Sequence, residues 1–372
     1  MKTIRRLIYW EILLATGFVL LAFLSLFFFF DFVEELSSLG KPSRLEPDVI
    51  YEVRHALLYV GLLMPSRVYE LLPISVLIGT IAVLARLAQT SEYTILRTSG
   101  LGPWKALRTL LGLGLIFVVV TFAVGDYVAP LADKTAQLLK ARYQGRISLG
   151  QTGAWLKERQ LYSNFSVNVG SLSPKGELGE VRIFEFDNQG LLVSTLEAAQ
   201  GQIEADESWT LRKVLRREFD TAGQMSARIL RSDLETFRWP STITAEMVSV
   251  ALLKPERMRT TDLYAYIQHL ESNGQTAQKH EIEFWRKVFY PLSCLVMVVL
   301  ALPFAYLHFR SGSITAYVFG GVMIGISFFL LNNVFGYIGN LNQWQPWLAA
   351  ASPALIYSVV SLGAFGWLVL RR

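Results

Sequence analysis

The sequence is poor in the residues that carry soluble chemistry. It holds one cysteine, Cys294, and four histidines, His55, His269, His280 and His308, in 372 residues. A single thiol excludes an intrachain disulfide and says nothing of compartment. Cys294 lies in an apolar run, where a thiol acts as a small buried hydrophobe. The histidines are scattered, and HEIE at 280–283 lacks the second histidine that would set two metal ligands on one helix face. No metal site and no cofactor are expected. The chain has no G-x-x-x-x-G-K-S/T phosphate loop, and neighbouring positions suggest no Ser–His–acid grouping. Charge is scarce as well, at 17% of residues against about 25% in soluble domains. Apolar residues fill the gap, 52% of the chain with 13% aromatic, which indicates an integral membrane protein with a soluble part.

Apolar windows near the ~20 residues needed to cross a bilayer occur at about 7–30, 68–88, 106–128, 288–308, 314–337 and 347–370. The first is too long for a signal-peptide core and no small-x-small site closes it, so it is read as a retained helix. The second is preceded by Pro65, Arg67, Glu70 and Pro73, which predicts a separate interfacial helix at 50–64 leading into the span. Lysine and arginine placement orients the set. With the N-terminus inside, Arg5, Arg6, Arg86, Arg97, Lys105, Arg108, Arg310, Arg371 and Arg372 are cytoplasmic, and the outer loop GNLNQW has no base. Both termini are therefore expected in the cytoplasm.

Parity places the polar insert, roughly 131–287, on the outer side. AWLKE, LYSNFSVNV, EVRIFEF, LLVSTLEA, SWTLRKVL and ARILRSDLETF read as strands, separated by turn chemistry at SLSPKGE, DNQG, ADES and DTAGQ. Short strands at this spacing indicate a sandwich or partial barrel over 131–258. After Pro255, Leu263, Ile267 and Leu270 take up helical spacing behind Thr261 as N-cap, so 259–287 is expected to be a helical connector. Spans 1–3 then occupy 1–130 and spans 4–6 occupy 288–372.

Three local patterns carry further signal. ARLAQTSEYTILRTSG (85–100) is a charged segment between apolar runs. Drawn as one helix over about 86–100, it puts Glu92 amid Ala85, Ala88, Ile95 and Leu96, with Arg86 and Arg97 on the far side and no intrahelical base for Glu92. Such a carboxylate wants a donor from another chain; alternatively Thr90 or Ser91 caps the helix and Glu92 sits in its first turn. LADKTAQLLKARYQGR (131–146) carries Lys134, Lys140, Arg142 and Arg146 against Asp133 alone, although bases and acids over 131–258 nearly balance, 17 to 16. The stretch suits an anionic head group, or is a helix end with snorkelling side chains. GVMIG (321–325) puts Gly321 and Gly325 at the spacing that lets helices approach, although glycine is common in spans generally.

LARLAQTSEYTILRTSG, together with GDYVAP (125–130), SVALLKPE (249–256), EFWRKVFYPL (283–292), LALPFAYLHFRSGS (300–313) and GISFFLLNNVFG (325–336), resembles the lipopolysaccharide export permease family LptF/LptG along the whole chain, and LAQTSE and GDYVAP are closer to its LptG branch. The resemblance implies six membrane helices with a periplasmic β-jellyroll-like domain between helices 3 and 4. It implies the membrane half of an ABC exporter in the Gram-negative inner membrane, itself without catalysis. The implied partners are an LptF-like paralogue, an LptB-like ATPase dimer, an LptC-like single-span jellyroll protein, an LptA-like periplasmic bridge and lipopolysaccharide, with no nucleic acid. Helices 1 and 5 would form lateral gates, with Gly321 and Gly325 on helix 5. Glu92 would insert into the ATPase, with Arg86, Tyr93 and Arg97 around it. Lys140 would face lipid phosphates, with Lys134, Arg142 and Lys41 nearby. This chain departs from the family after helix 1, where FDFVEELSSLGK carries Asp31, Glu34 and Glu35 and no base before Lys41. The competing classes are a membrane-anchored β-domain scaffold and an ion-coupled flippase without an ATPase.

Overall fold

A backbone in hydrocarbon finds no water for its N–H and C=O groups, so apolar segments must close their hydrogen bonds within helices. The computed structural model describes residues 2–41, 50–90, 92–98, 100, 102–144, 153–160, 163–173, 176–204, 208–220, 228–244, 247–248, 255–306 and 314–370. Among them six stretches are long and apolar enough to cross a membrane: Ile4–Ser38, Val53–Gln89, Pro103–Lys140, Gln278–Tyr306, Thr315–Leu341 and Pro346–Trp367. The helices are α1 (Lys2–Glu35), α2 (Val53–Gln89), α3 (Glu92–Thr98), α4 (Pro103–Ala123), α5 (Ala129–Gln144), α6 (Thr260–Ser272), α7 (Gln278–Phe289), α8 (Ser293–Ala301), α9 (Ile314–Leu341) and α10 (Pro346–Leu370). A π turn, Val124–Val128, joins α4 to α5.

The chain forms two compact units. One comprises Met1–Glu34, Val60–Ala132 and Gln278–Arg372, and the other Glu35–Tyr59 and Asp133–Ala277. In the first, α2 is the centre: 83% of its most apolar window lies inside the protein, against 11% for the span of α1 and 22% for that of α9. A helix apolar on all sides belongs in such a core. Leu77, Ile81 and Leu84 of α2 pack in one cluster with Leu110, Leu113 and Phe117 of α4 and with Cys294, Met297 and Val298 of α8. Cys294 is fully buried, its Sγ 3.3 Å from Thr121 Oγ1, as expected of a structural thiol.

The expected separation of an interfacial helix at 50–64 from a span at 68–88 is not found. α2 is one helix of 37 residues with Pro65 and Pro73 inside it. Each proline removes one backbone donor, but a full break would orphan several groups in an apolar setting, so the helix continues through both. At 1.5 Å per residue it is about 55 Å long and outreaches the ~30 Å apolar slab.

The second unit is built on a six-stranded antiparallel sheet in sequential order: β1 (Ala154–Arg159), β2 (Asn164–Leu172), β3 (Glu177–Phe186), β4 (Leu192–Ile203), β5 (Trp209–Asp220) and β6 (Arg228–Trp239). All six strands read from the sequence are present. Register aligns apolar residues in rows, Leu156–Val167–Ile183–Leu196 and Ala154–Val169–Val181–Ala198–Val214, which form the buried face. The imperfect alternation of KVLRR has a cause. Lys213 has φ 54° and Glu180 has φ 53°, and the pairings of β3, β4 and β5 pass over both residues and Ala199 between them. That left-handed row interrupts the period-2 alternation in mid-strand. In the connector, α6 begins at Thr260 behind Arg259, two residues earlier than Thr261 as N-cap would give, and no side chain caps it. It ends at Gly274, whose φ is 64°.

Candidate functional site

The charged segment after α2 is a broken helix. Thr90 Oγ1 donates to the carbonyls of Arg86 and Leu87 at 3.1 and 3.4 Å, closing α2 instead of capping the next helix. Ser91 is outside the described residues. A new helix, α3, starts at Glu92 and ends at Gly100, which has φ 98° and donates its N–H to Arg97 O. The break shifts the helical phase, so a single wheel over 86–100 does not apply. Glu92 is exposed in the first turn, where the helix dipole favours an acid. The buried side is Tyr93, 3% exposed and edge-on to Tyr306 at 5.2 Å, with Leu96 against the same core. Arg97 lies over the Tyr306 ring at 5.5 Å. Ile95 is 62% exposed, so α3 presents Glu92 and Ile95 outward from an aromatic mount.

Arg86 belongs to α2 and forms an ion pair with Glu11 of α1 at 2.6 Å. Sequence reading missed Glu11, because its partner lies 75 residues on and no local spacing joins them. α1 and α2 also meet at Gly79, where a Cβ would lie 2.7 Å from Thr16 N and 2.8 Å from Thr16 Cα. Farther along, Arg67 holds Asp31 through two bonds, 3.0 and 3.2 Å. Both residues lie just outside the apolar windows 7–30 and 68–88, on the continuations of α1 and α2. Gly321 and Gly325 of α9 face Ile81 and Ile74 of α2, so the GxxxG pattern packs within the chain.

Three of the motifs that mark the family resemblance converge in one place. Arg286 is paired with Glu283 at 2.7 Å and donates to Asn332 O at 2.9 Å. Lys287, 7% exposed, reaches the Gly125 carbonyl in the π turn at 3.5 Å. Gly125 itself lies against the Tyr69 ring with no room for a Cβ. EFWRKV, GDYVAP and LLNN thus form one polar junction, and a π turn leaves carbonyls off the regular ladder for such partners.

In the second unit, Lys140 is paired with Glu35 at 2.9 Å and lies 4.6 Å over the Tyr59 ring. Glu35 is buried, 4% exposed. Asp133, the one acid of the basic stretch, is buried 3.8 Å from Arg257. Lys134 and Lys41 are exposed; the side chain of Arg142 is outside the described set. The acids read as following helix 1 lie at its end, since α1 runs to Glu35, and two of them are paired. Glu35 holds the base that the resemblance assigns to lipid phosphate, and Asp31 holds Arg67. No cluster of metal-binding side chains occurs among the described residues.

The architecture defines a multi-pass helical membrane protein with an antiparallel β-domain inserted in mid-chain. A sequence model of the family described as lipopolysaccharide export system permease LptF/LptG matches residues 6–371, and the chain belongs to that family. It is 28% identical to the lipopolysaccharide export system permease protein LptG of Haemophilus influenzae over 374 residues, 100% of this chain and 99% of that protein. It is 27% identical to LptG of Escherichia coli K12 over 344 residues, 92% of this chain and 90% of that protein.

Proposed function

We propose that the chain is a non-catalytic permease subunit of an exporter that draws lipopolysaccharide from the Gram-negative inner membrane and hands it to a periplasmic β-domain bridge. The observation that carries this is the family match over residues 6–371. In this reading both termini and α3 are cytoplasmic and the β-domain is periplasmic. An ATPase dimer of the LptB kind supplies the energy, and the partners in and beyond the membrane are LptF-, LptC- and LptA-like proteins. The low in-chain coverage of α1 and α9, at 11% and 22%, supports an assembly in which these two helices face a paralogous permease and the lipid between them. They are the helices of the implied lateral gates.

Force enters at α3. Glu92 and Ile95 are offered outward, while Tyr93, Leu96 and Arg97 tie the helix to the bundle, so a push on α3 is a push on the core. Arg86 then passes motion to α1 through Glu11. In pull-down with the ATPase, Glu92→Ala is expected to lower recovery and ATPase stimulation several-fold. Unaltered assembly and stimulation would remove Glu92 from the docking role.

A further inference from the structure

The sheet carries a second polar surface that the export reading leaves without a role. Trp155, Lys157 and Arg159 alternate along β1 with the buried Ala154, Leu156 and Glu158, so all three project from the exposed side. Register sets Lys157 beside Ser166 and Phe184, and Arg159 beside Asn164 and Phe186. Trp155, 49% exposed, stacks on Phe184 with ring centroids 5.9 Å apart. Lys157, Arg159, Asn164, Ser166, Asn273 and Gly274 line a cleft of about 310 Å³.

This surface is built as a site in three respects. Neither Lys157 nor Arg159 has an ion pair among the described residues. The cleft's own acid, Glu158, is 2% exposed, and its oxygens accept bonds from Ser241 Oγ (2.6 Å), Thr242 N (2.9 Å), Thr242 Oγ1 (3.2 Å) and Gln160 Nε2 (3.2 Å), so it does not compete for the bases. The Arg159 guanidinium rests on Gly274, where a Cβ would lie 3.0 Å from Nη2, and Asn273 Oδ1 accepts the backbone N–H of Arg159 at 3.0 Å. The end of α6 thus holds this corner of the cleft.

We infer that the cleft binds an anionic saccharide. The free face of the Trp155 indole, beside the cleft and two residues from Lys157 on the same side of β1, takes the apolar face of a sugar ring; the amide and hydroxyl of Asn164 and Ser166 serve its hydroxyls, and two bases two residues apart, without an ion pair among the described residues, take a phosphate or carboxylate. The inference rests on the export reading only for the source of that saccharide, the head group of the exported lipid or a soluble phosphorylated sugar.

The test uses the full chain in detergent micelles and calorimetric titration with a deacylated, phosphorylated lipopolysaccharide oligosaccharide. Binding is expected to weaken at least tenfold when the oligosaccharide is dephosphorylated, at least tenfold in Lys157→Gln/Arg159→Gln, and three- to tenfold in Trp155→Ala. Thermal unfolding of Lys157→Gln/Arg159→Gln should be unchanged, since both side chains are exposed, whereas Trp155→Ala also loses the stack on Phe184 and should unfold slightly earlier. Inorganic phosphate and a polyglutamate peptide should bind at least tenfold more weakly than the oligosaccharide. Undiminished binding in the double variant, or equal binding of phosphate or peptide, overturns the site. A photocrosslinker at Ser166 that captures intact lipopolysaccharide in nanodiscs names the lipid as the source; capture of the soluble oligosaccharide alone names the other. Co-purification of the lipid and the ATPase with the double variant separates failure of this site from failure of the export reading.

Discussion

Arg286 shows how one residue acts in this fold. Its guanidinium joins Glu283 of its own helix to the Asn332 carbonyl of α9, with 18% and 10% of the two paired side chains exposed. Removing one partner of a buried pair leaves a charge without compensation, which costs about 3–5 kcal/mol. Arg286→Ala is therefore expected to lower the thermal unfolding midpoint in detergent strongly. Arg286→Lys should recover only part of the loss, because an ammonium does not reproduce the planar fork that reaches two acceptors. Equal stability of all three proteins would contradict this role. Glu35 gives a prediction of opposite sign for lipid binding. It holds Lys140 at 2.9 Å, so a lipid phosphate must compete with a resident carboxylate. Glu35→Gln should raise lipopolysaccharide crosslinking at position 140, and Lys140→Ala should lower its affinity; lower crosslinking in Glu35→Gln would show that the pair itself forms the binding surface. The acids at the end of α1 were visible in the sequence as a departure from the family. Their partners were not, since Glu35 and Lys140 are 105 residues apart and only the fold brings them together.

At the scale of elements, glycines separate packing that can give from packing that cannot. A Cβ at Gly79 would meet the backbone of Thr16, whereas one at Gly321 would meet Cδ1 of Ile81, the far end of a flexible side chain. Gly79→Ala should therefore displace α1 and cut export several-fold, while Gly321→Ala should be tolerated. Crosslinking between cysteines placed on α1 and α2 reads the difference, and equal behaviour of the two variants would contradict it. Sequence reading chose Gly321 and Gly325 because GxxxG is a pattern, and passed over Gly79 because a single glycine is not. The elements themselves were legible. Six apolar runs and six strands came from hydropathy length and turn chemistry, forces that act locally. The failures came where two local rules competed. Pro65 and Pro73 argue for a break in α2, but the need to satisfy backbone groups in an apolar setting overrode them. At Thr90 the reverse occurred: the apolar wheel argued for one helix, and a hydroxyl bonded to Arg86 O ended it.

For the whole molecule, α1 and α9 are the two least covered spans, and the proposed function assigns their free sides to a paralogous permease and the lipid. α1 is tied to α2 by Glu11–Arg86 and Asp31–Arg67, at 2.6 and 3.0 Å, and Arg86 lies six residues before Glu92 on the route by which the ATPase would push. The fold could be read from residues alone, because burial and hydrogen-bond satisfaction are properties of the chain. The export role came instead from the resemblance of particular stretches to a family, which the match over residues 6–371 bears out, while the energy source is not part of the polypeptide and belongs to the proposal. The measurement that tests the account most directly is affinity purification of this chain from its native membrane, with identification of the proteins and lipid that accompany it. The account predicts a paralogous permease, a cytoplasmic ATPase and lipopolysaccharide in one complex. Transport of lipid by the purified chain alone, or a complex without ATPase and lipopolysaccharide, would contradict it.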